Sequence, residues 1–159
     1  MKALSLWQPW ASAIWFGWKR IETRGWSTDY RGPLAIHAAK RWTAEERAFW
    51  ADACEEECFD PAGYEMPLGA VICTVCLVDV RPTSELRGLI SAQEERWGNY
   101  STRDAETGRL RHGLLFEGLQ RLPQPVPFKG MQGFFDVPDS LLRMPLADPP
   151  PARIGDRLL

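Results

Sequence analysis

The chain has 159 residues, of which 45% are hydrophobic and 25% charged, with a formal net charge of −2. This describes one ordinary domain able to bury a core, and the near-neutral balance excludes indiscriminate binding to nucleic acid. No apolar run approaches the length of a membrane-spanning helix, and Met1-Lys2-Ala3-Leu4-Ser5 lacks the pattern of a secretory signal, so no membrane association and a cytoplasmic location are expected.

In chain order, Lys2–Leu6 is short and apolar, suited to an opening strand. Gln8-Pro9 then starts a helix, in which Ala11, Ile14, Trp15 and Trp18 form one apolar stripe. Gly17 is placed to end it, because a left-handed residue costs least as glycine. Arg20 to Trp26 alternates like a strand, with Glu22 and Arg24 on one face and Ile21 and Thr23 on the other. After the turn Asp29-Tyr30-Arg31-Gly32-Pro33 comes a second strand, Leu34 to Ala38. Thr43-Ala44-Glu45-Glu46 opens a helix with a capping threonine and an acidic first turn, which should stop before Asp60-Pro61. Gly69 to Val80 is apolar on both faces and predicts a central strand. A helix is expected over Arg87–Trp97 and an exposed loop from Gly98 to Gly108. Leu114–Leu122 and Gly133–Val137 read as closing strands around a turn-rich Pro123–Gly130. Residues 1–140 make one domain, and 141–159 form a proline-rich tail, extended or loosely held around Pro149-Pro150-Pro151.

Short strands interrupted by two or three helices imply an α+β protein built on a small barrel. The four cysteines do not read as a metal site. Cys54 and Cys58 lie one helical turn apart, and Cys73 and Cys76 sit inside a strand, where that spacing sends the thiols to opposite faces. Charge is uneven along the chain. Residues 1–41 carry seven Lys and Arg against Glu22 and Asp29, a balance of +5, while the remainder carries twelve against nineteen, a balance of −7. One basic patch therefore fits an otherwise acidic molecule. Eight tryptophans supply both core and stacking surface.

Four ordered blocks carry a resemblance. Ser5-Leu6-Trp7-Gln8-Pro9-Trp10-Ala11 reads as S-x-x-Q-P-W-A. Gly17, Lys19, Glu22 and Arg24 give G-x-K-x-x-E-x-R. Trp26-Ser27-Thr28 leads to Tyr30-Arg31-Gly32-Pro33 and the strand after it, and Lys129-Gly130-Met131-Gln132-Gly133 reads as K-G-x-Q-G. Over roughly Lys2 to Val137 the chain resembles the ASCH domains (activating signal cointegrator homology), relatives of the PUA fold. The resemblance implies a PUA-like mixed β pseudobarrel with two or three flanking helices and a cleft between the first helix and the barrel.

It further implies that this cleft binds RNA, single-stranded nucleic acid or a modified nucleoside, with no cofactor or metal. The binding residues implied are Gln8, Trp10, Lys19, Glu22, Arg24, Trp26, Lys40, Lys129 and Gln132. Lys19, Arg24 and Lys40 suit phosphate or a base edge, and Trp10 or Trp26 could stack on a base. Glu22 can accept from an exocyclic amine, and Gln132 offers an amide between glycines. Each also has a plainer role: Glu22 and Arg24 as a surface ion pair, Trp10 as core, His37 as a hydrogen-bonded core histidine.

An enzymatic alternative stands beside binding. Small bacterial relatives in the superfamily deacylate acetylated cytidine with a lysine and a threonine in this segment and a distant glutamate. Lys19 matches the lysine, but Glu22 stands where the threonine is expected, and Thr23 is one residue out of register. A Lys19–Glu22 pair could still activate water as an amidohydrolase would. A metal-independent ribonuclease is a third reading, for which His37, Tyr100 and Lys19 are available types without a spacing that selects them.

Overall fold

The computed structural model describes residues 1–143, and the greater part of the proline-rich tail lies outside them. Six strands form one curled, half-barrel sheet in the order β2-β5-β4-β3-β1-β6. They are β1 (Lys2–Leu6), β2 (Ile21–Arg24), β3 (Gly32–Ala38), β4 (Ala70–Pro82), β5 (His112–Pro127) and β6 (Phe134–Asp136). Only β1 and β3 run parallel, and every other pairing is antiparallel. Among the described residues the helices are α1 (Trp10–Phe16), α2 (Ala44–Glu56) and the short α3 (Thr83–Leu86), α4 (Ala92–Arg96) and α5 (Asp139–Leu142), none long and apolar enough to cross a membrane. This is the α+β pseudobarrel expected.

Pro9 is the N-cap of α1, and Gly17, at φ 83°, ends it as a left-handed cap. Lys19 N–H then bonds Ala13 O, which fixes how the chain leaves α1 and enters β2. Thr43 and Glu46 close a reciprocal capping box on α2, as the sequence pattern predicts. The helix expected over Arg87–Trp97 forms only in its second half, as α4, because α3 has already ended at Leu86. Gly88, at φ 77°, separates α3 from α4, and Ser91 restarts the helix by accepting from Glu94 N–H.

The closing strand runs further than expected, through Pro123, Pro125 and Pro127. Those prolines are tolerated because β2 covers β5 only as far as Leu115, leaving the rest an edge. The β4–β5 register also breaks between Val71 and Cys73, the stretch containing Pro123 and Pro125. Phe128 N–H bonds Gly69 O, so the missing N–H of Pro127 faces away from β4.

Two apolar clusters matter for the site. One fills the half-barrel with Leu4, Leu6, Leu34, Ile36, Leu77, Leu114 and Phe116 under Ala11 and Ile14 of α1. The other is aromatic, with Phe16, Trp18, Trp50 and Trp97 joining α1 to α2 and to the end of α4. Phe16 stacks on Trp18 at 4.3 Å, and Trp97 is fully buried. Truncating such a tryptophan typically costs about 3–5 kcal/mol. Of the eight tryptophans only Trp7 is exposed.

Candidate functional site

The site is built on β2. Its four residues alternate, with Ile21 and Thr23 buried and Glu22 and Arg24 half-buried. Glu22 pairs across to Leu114, whose side chain lies in the barrel core, so Glu22 and Arg24 emerge on the barrel side of the strand.

Lys19 enters from the helix cap with its ammonium turned inward, and the residue is 2% exposed. Nζ donates to Ile21 O at 2.6 Å and Trp97 O at 2.7 Å, and lies 3.2 Å from Glu22 Oε2. Two of the ammonium's three N–H donors are thereby taken by carbonyls, and the Glu22 contact is an ion pair not aligned for a hydrogen bond. Glu22 Oε1 sits 2.9 Å from Arg24 Nε, an ion pair whose N–H is not aligned for a hydrogen bond. Arg24 Nη2 donates to Ser5 O at 2.8 Å. Ser5 lies one residue past the last β1–β6 pair, so Arg24 bridges from the β2 edge of the sheet to β1 and closes the half-barrel. The outcome is a carboxylate held between a buried lysine bonded to two carbonyls and an arginine that keeps donor capacity.

Distant segments hold this line in place. The buried Glu94 carboxylate accepts from Arg20 N–H (2.9 and 3.0 Å) and Ile21 N–H (2.8 Å). Burial pushes its pKa up, against the opposing pull of Lys19 and the two amides. Trp97 supplies its carbonyl to Lys19 and donates Nε1–H to Glu57, which also pairs with Arg96. Behind β2, Thr23 Oγ1 accepts from Asn99 N–H and from Arg111, which is itself paired with Asp104 at 2.7 Å. Tyr100 is buried in the same loop, and burial together with Glu94 and Glu22 pushes the phenol's pKa up.

On the other side of Ser5, Oγ lies 2.6 Å from His37 Nδ1, and His37 Nε2 lies 2.8 Å from Phe128 O. A carbonyl only accepts, so Nε2 carries the proton and Nδ1 accepts from the serine hydroxyl. His37 is 2% exposed and burial lowers its pKa, which makes it a hydrogen-bonded core histidine. Gly130 presses on this pair. A Cβ there would fall 2.4 Å from Ser5 Oγ and 2.5 Å from His37 Cε1. The K-G-x-Q-G turn thus meets the opening block at Ser5.

Of the residues named from sequence, Lys19, Glu22 and Arg24 are in mutual contact. Gln8 is fully buried, bonded to Ser12 and Pro67 O, and acts as a brace for the start of α1. Trp10 stacks on Phe49 at 5.1 Å inside the aromatic cluster. Trp26 is half-buried, edge-on to Phe134. Lys40, Lys129 and Gln132 are exposed, and the Lys40 stem lies over Gly69, where a Cβ would meet its Cε at 2.7 Å. Sequence reasoning missed Ser5, Glu94, Trp97 and Arg111. Ser91-x-x-Glu94 signals a helix start, but nothing local says that its carboxylate reaches Arg20 and Ile21.

A cavity of about 200 Å³ adjoins this line between α1 and the β4–β5 pair, lined by Ile14, Gly17, Lys19, Arg20, Val75 and Phe116 to Leu119. Its floor is apolar and its rim charged.

The ASCH domain family model matches residues 4–109 of the chain. Among solved structures, the crystal structure of ASCH from Zymomonas mobilis is similar at 16% identity and a TM-score of 0.52, covering 89% of this chain and 90% of that one. A tyrosine-to-phenylalanine mutant of the same protein gives the same identity and score, with 89% and 93% covered. That likeness concerns the fold. No curated protein matches the chain.

Proposed function

This chain belongs to the ASCH domain family, and on that premise we propose that it is a binding module for single-stranded nucleic acid or nucleosides, recognising a base at Glu22 and Arg24 without transforming it. The observation that carries this reading is the burial of Lys19. At 2% exposed, with hydrogen bonds to Ile21 O and Trp97 O and its charge set against Glu22, the ammonium is turned away from solvent and acts as the fixed counter-charge of Glu22. Glu22 is then an anionic acceptor held in place, suited to the exocyclic amine of cytosine or adenine. Arg24 adds a donor beside it through Nη1, which makes no hydrogen bond among the described residues, whereas its Nε is buried against Glu22.

Thr23 does not favour deacylation either. It lies on the opposite face of β2, is 8% exposed, and its hydroxyl is occupied by Asn99 and Arg111. Glu22 and Arg24 supply an acceptor and a donor, and the neighbouring cavity, which shares Lys19 with them, has apolar lining in Ile14, Val75, Phe116 and Leu119 that suits the flat face of a base. The basic first 41 residues supply the charge that draws a phosphate backbone to this face, and a cytoplasmic setting agrees with the chain's free thiols.

The test pairs binding with turnover. Short single strands rich in cytosine or adenine should bind, uracil-rich strands more weakly, and an acylated cytidine should be recovered unchanged by mass spectrometry. Glu22→Gln turns one acceptor oxygen into a donor and should weaken cytosine-rich strands by about 1–3 kcal/mol, the worth of one base contact. Release of the acyl group by the wild-type protein, lost in Glu22→Gln, would establish the amidohydrolase instead.

A further inference from the structure

Trp7 is the one tryptophan the core does not take. It is 54% exposed and follows directly on β1, while its seven counterparts are buried or half-buried against the two cores. Its ring is nonetheless held. The Arg41 guanidinium lies over it at 4.1 Å from the centroid, and Arg41 is itself fixed by hydrogen bonding to Glu46 and by Glu45 at 3.9 Å. Two carboxylates therefore answer the charge of Arg41, which makes it a backing plate for the indole more than a phosphate contact. The adjacent Lys40 differs: it is exposed and, among the described residues, makes no ion pair. The chain thus offers a half-exposed indole, stiffened by Arg41, with Lys40 next in sequence to that arginine and its stem running over Gly69.

The position matters as much as the exposure. Trp7 stands two residues beyond Ser5, whose carbonyl accepts from Arg24. At strand rise that places its backbone about 7 Å along the chain from Ser5, the residue Arg24 contacts. The ends of β1 and β3 lie side by side in parallel register, which brings Trp7 and Lys40 to the same end of the sheet.

We propose that Trp7 is a base-stacking subsite, with Lys40 as its phosphate contact, for the nucleotide next to the one held at Glu22 and Arg24. The inference rests on the binding function proposed above and narrows it, since the ligand becomes an oligonucleotide single strand and not a free nucleoside. An exposed aromatic face is sequence-tolerant, because every base has a π-face, so the subsite adds affinity without adding selectivity. The unpaired charge of Lys40 favours this occupant over a neutral protein surface, and the exposed indole favours it over an acidic one, since stacking is what a planar base supplies.

The test compares wild type, Trp7→Ala, Trp7→Phe and Lys40→Ala on a fluorescein-labelled cytosine-rich octanucleotide and on free cytidine. Folding of each variant is checked by near-ultraviolet circular dichroism. Trp7→Ala should weaken the octanucleotide roughly tenfold to a hundredfold, the range for one lost stack, and leave cytidine binding unchanged. Trp7→Phe keeps a ring and should stay within about threefold of wild type, and Lys40→Ala should reduce the slope of log affinity against log salt by roughly one. If wild type binds the octanucleotide and Trp7→Ala binds it equally well, the subsite is overturned while the Glu22–Arg24 reading stands. If wild type binds neither octanucleotide nor cytidine, that reading fails and takes the subsite with it. A wild-type dimer in sedimentation that Trp7→Ala dissolves would assign the indole to a second copy of the chain and overturn the proposal.

Discussion

Replacing Lys19 by methionine separates a structural lysine from a ligand-binding one. Methionine nearly conserves the length and volume of the stem, so packing is little changed and the lost quantity is the ammonium. Removal leaves Ile21 O and Trp97 O without their donor in a place where Lys19 is 2% exposed, and leaves Glu22 with Arg24 as its one ion-pair partner among the described residues. An unsatisfied buried polar group costs about 1–3 kcal/mol. Breaking a buried charge pair costs about 3–5 kcal/mol in total. Taking the second figure as the sum, because the same ammonium serves all three partners, and about 2–4 °C per kcal/mol for a domain of this size, the melting temperature should fall by roughly 6–20 °C. Differential scanning calorimetry, with urea unfolding as a cross-check, measures this directly. A Lys19→Met protein that melts within about 2 °C of wild type, yet has lost its ligand, would show that the lysine faces the ligand and that the hydrogen-bond count misassigns it.

Two further outcomes follow from contacts around the site. Glu46 has its pKa pulled down to about 2 from an ordinary 4.5, first by the Thr43 hydroxyl and then by Arg41. Between these values the unfolded chain takes up a proton that the folded chain refuses, so this contribution is complete above about pH 4.5 and is lost as the pH falls towards 2. Urea midpoints from pH 6 to 2.5 should therefore drop more steeply for wild type than for Glu46→Gln, and parallel curves would contradict the capping box as drawn. Gly130→Ala drives a methyl against Ser5 Oγ and the His37 ring, and should cost about 1–3 kcal/mol by overpacking. A thermal melt unchanged by that substitution would mean the closing turn is free to lift away.

What the sequence shows and what it hides divide along a physical line. Local signals were legible: Gly17 as a helix stop, Thr43 and Glu46 as a capping box, and the alternation that sets Glu22 and Arg24 on one face of β2. Each depends on residues within four positions of one another. The partners of Lys19 and of the β2 amides are Trp97 and Glu94, more than seventy residues away, and no periodicity encodes a carbonyl. Gln8 and Trp10 look like ligand groups in the opening block, because Pro67 O, which buries the glutamine's amide alongside the local Ser12, arrives only once the loop after α2 folds back. The helix expected over Arg87–Trp97 failed at Gly88, where a left-handed residue interrupts an otherwise good polar pattern. Proline carried the opposite error. Read as a turn signal at 123, 125 and 127, it marks a strand with an uncovered side.

That uncovered side bears on how the molecule behaves among its own copies. An open sheet offers two borders to which a foreign strand can add, and self-templated growth begins there. Here β6, one border, is three residues long, too short to seed a ladder. β2, at the other, is four residues long and carries the site's charges, and beyond its reach β5 continues with prolines that withhold the amide protons an incoming strand needs. An open half-barrel is thereby closed to further strands, and its open borders do not by themselves make the chain prone to fibrils.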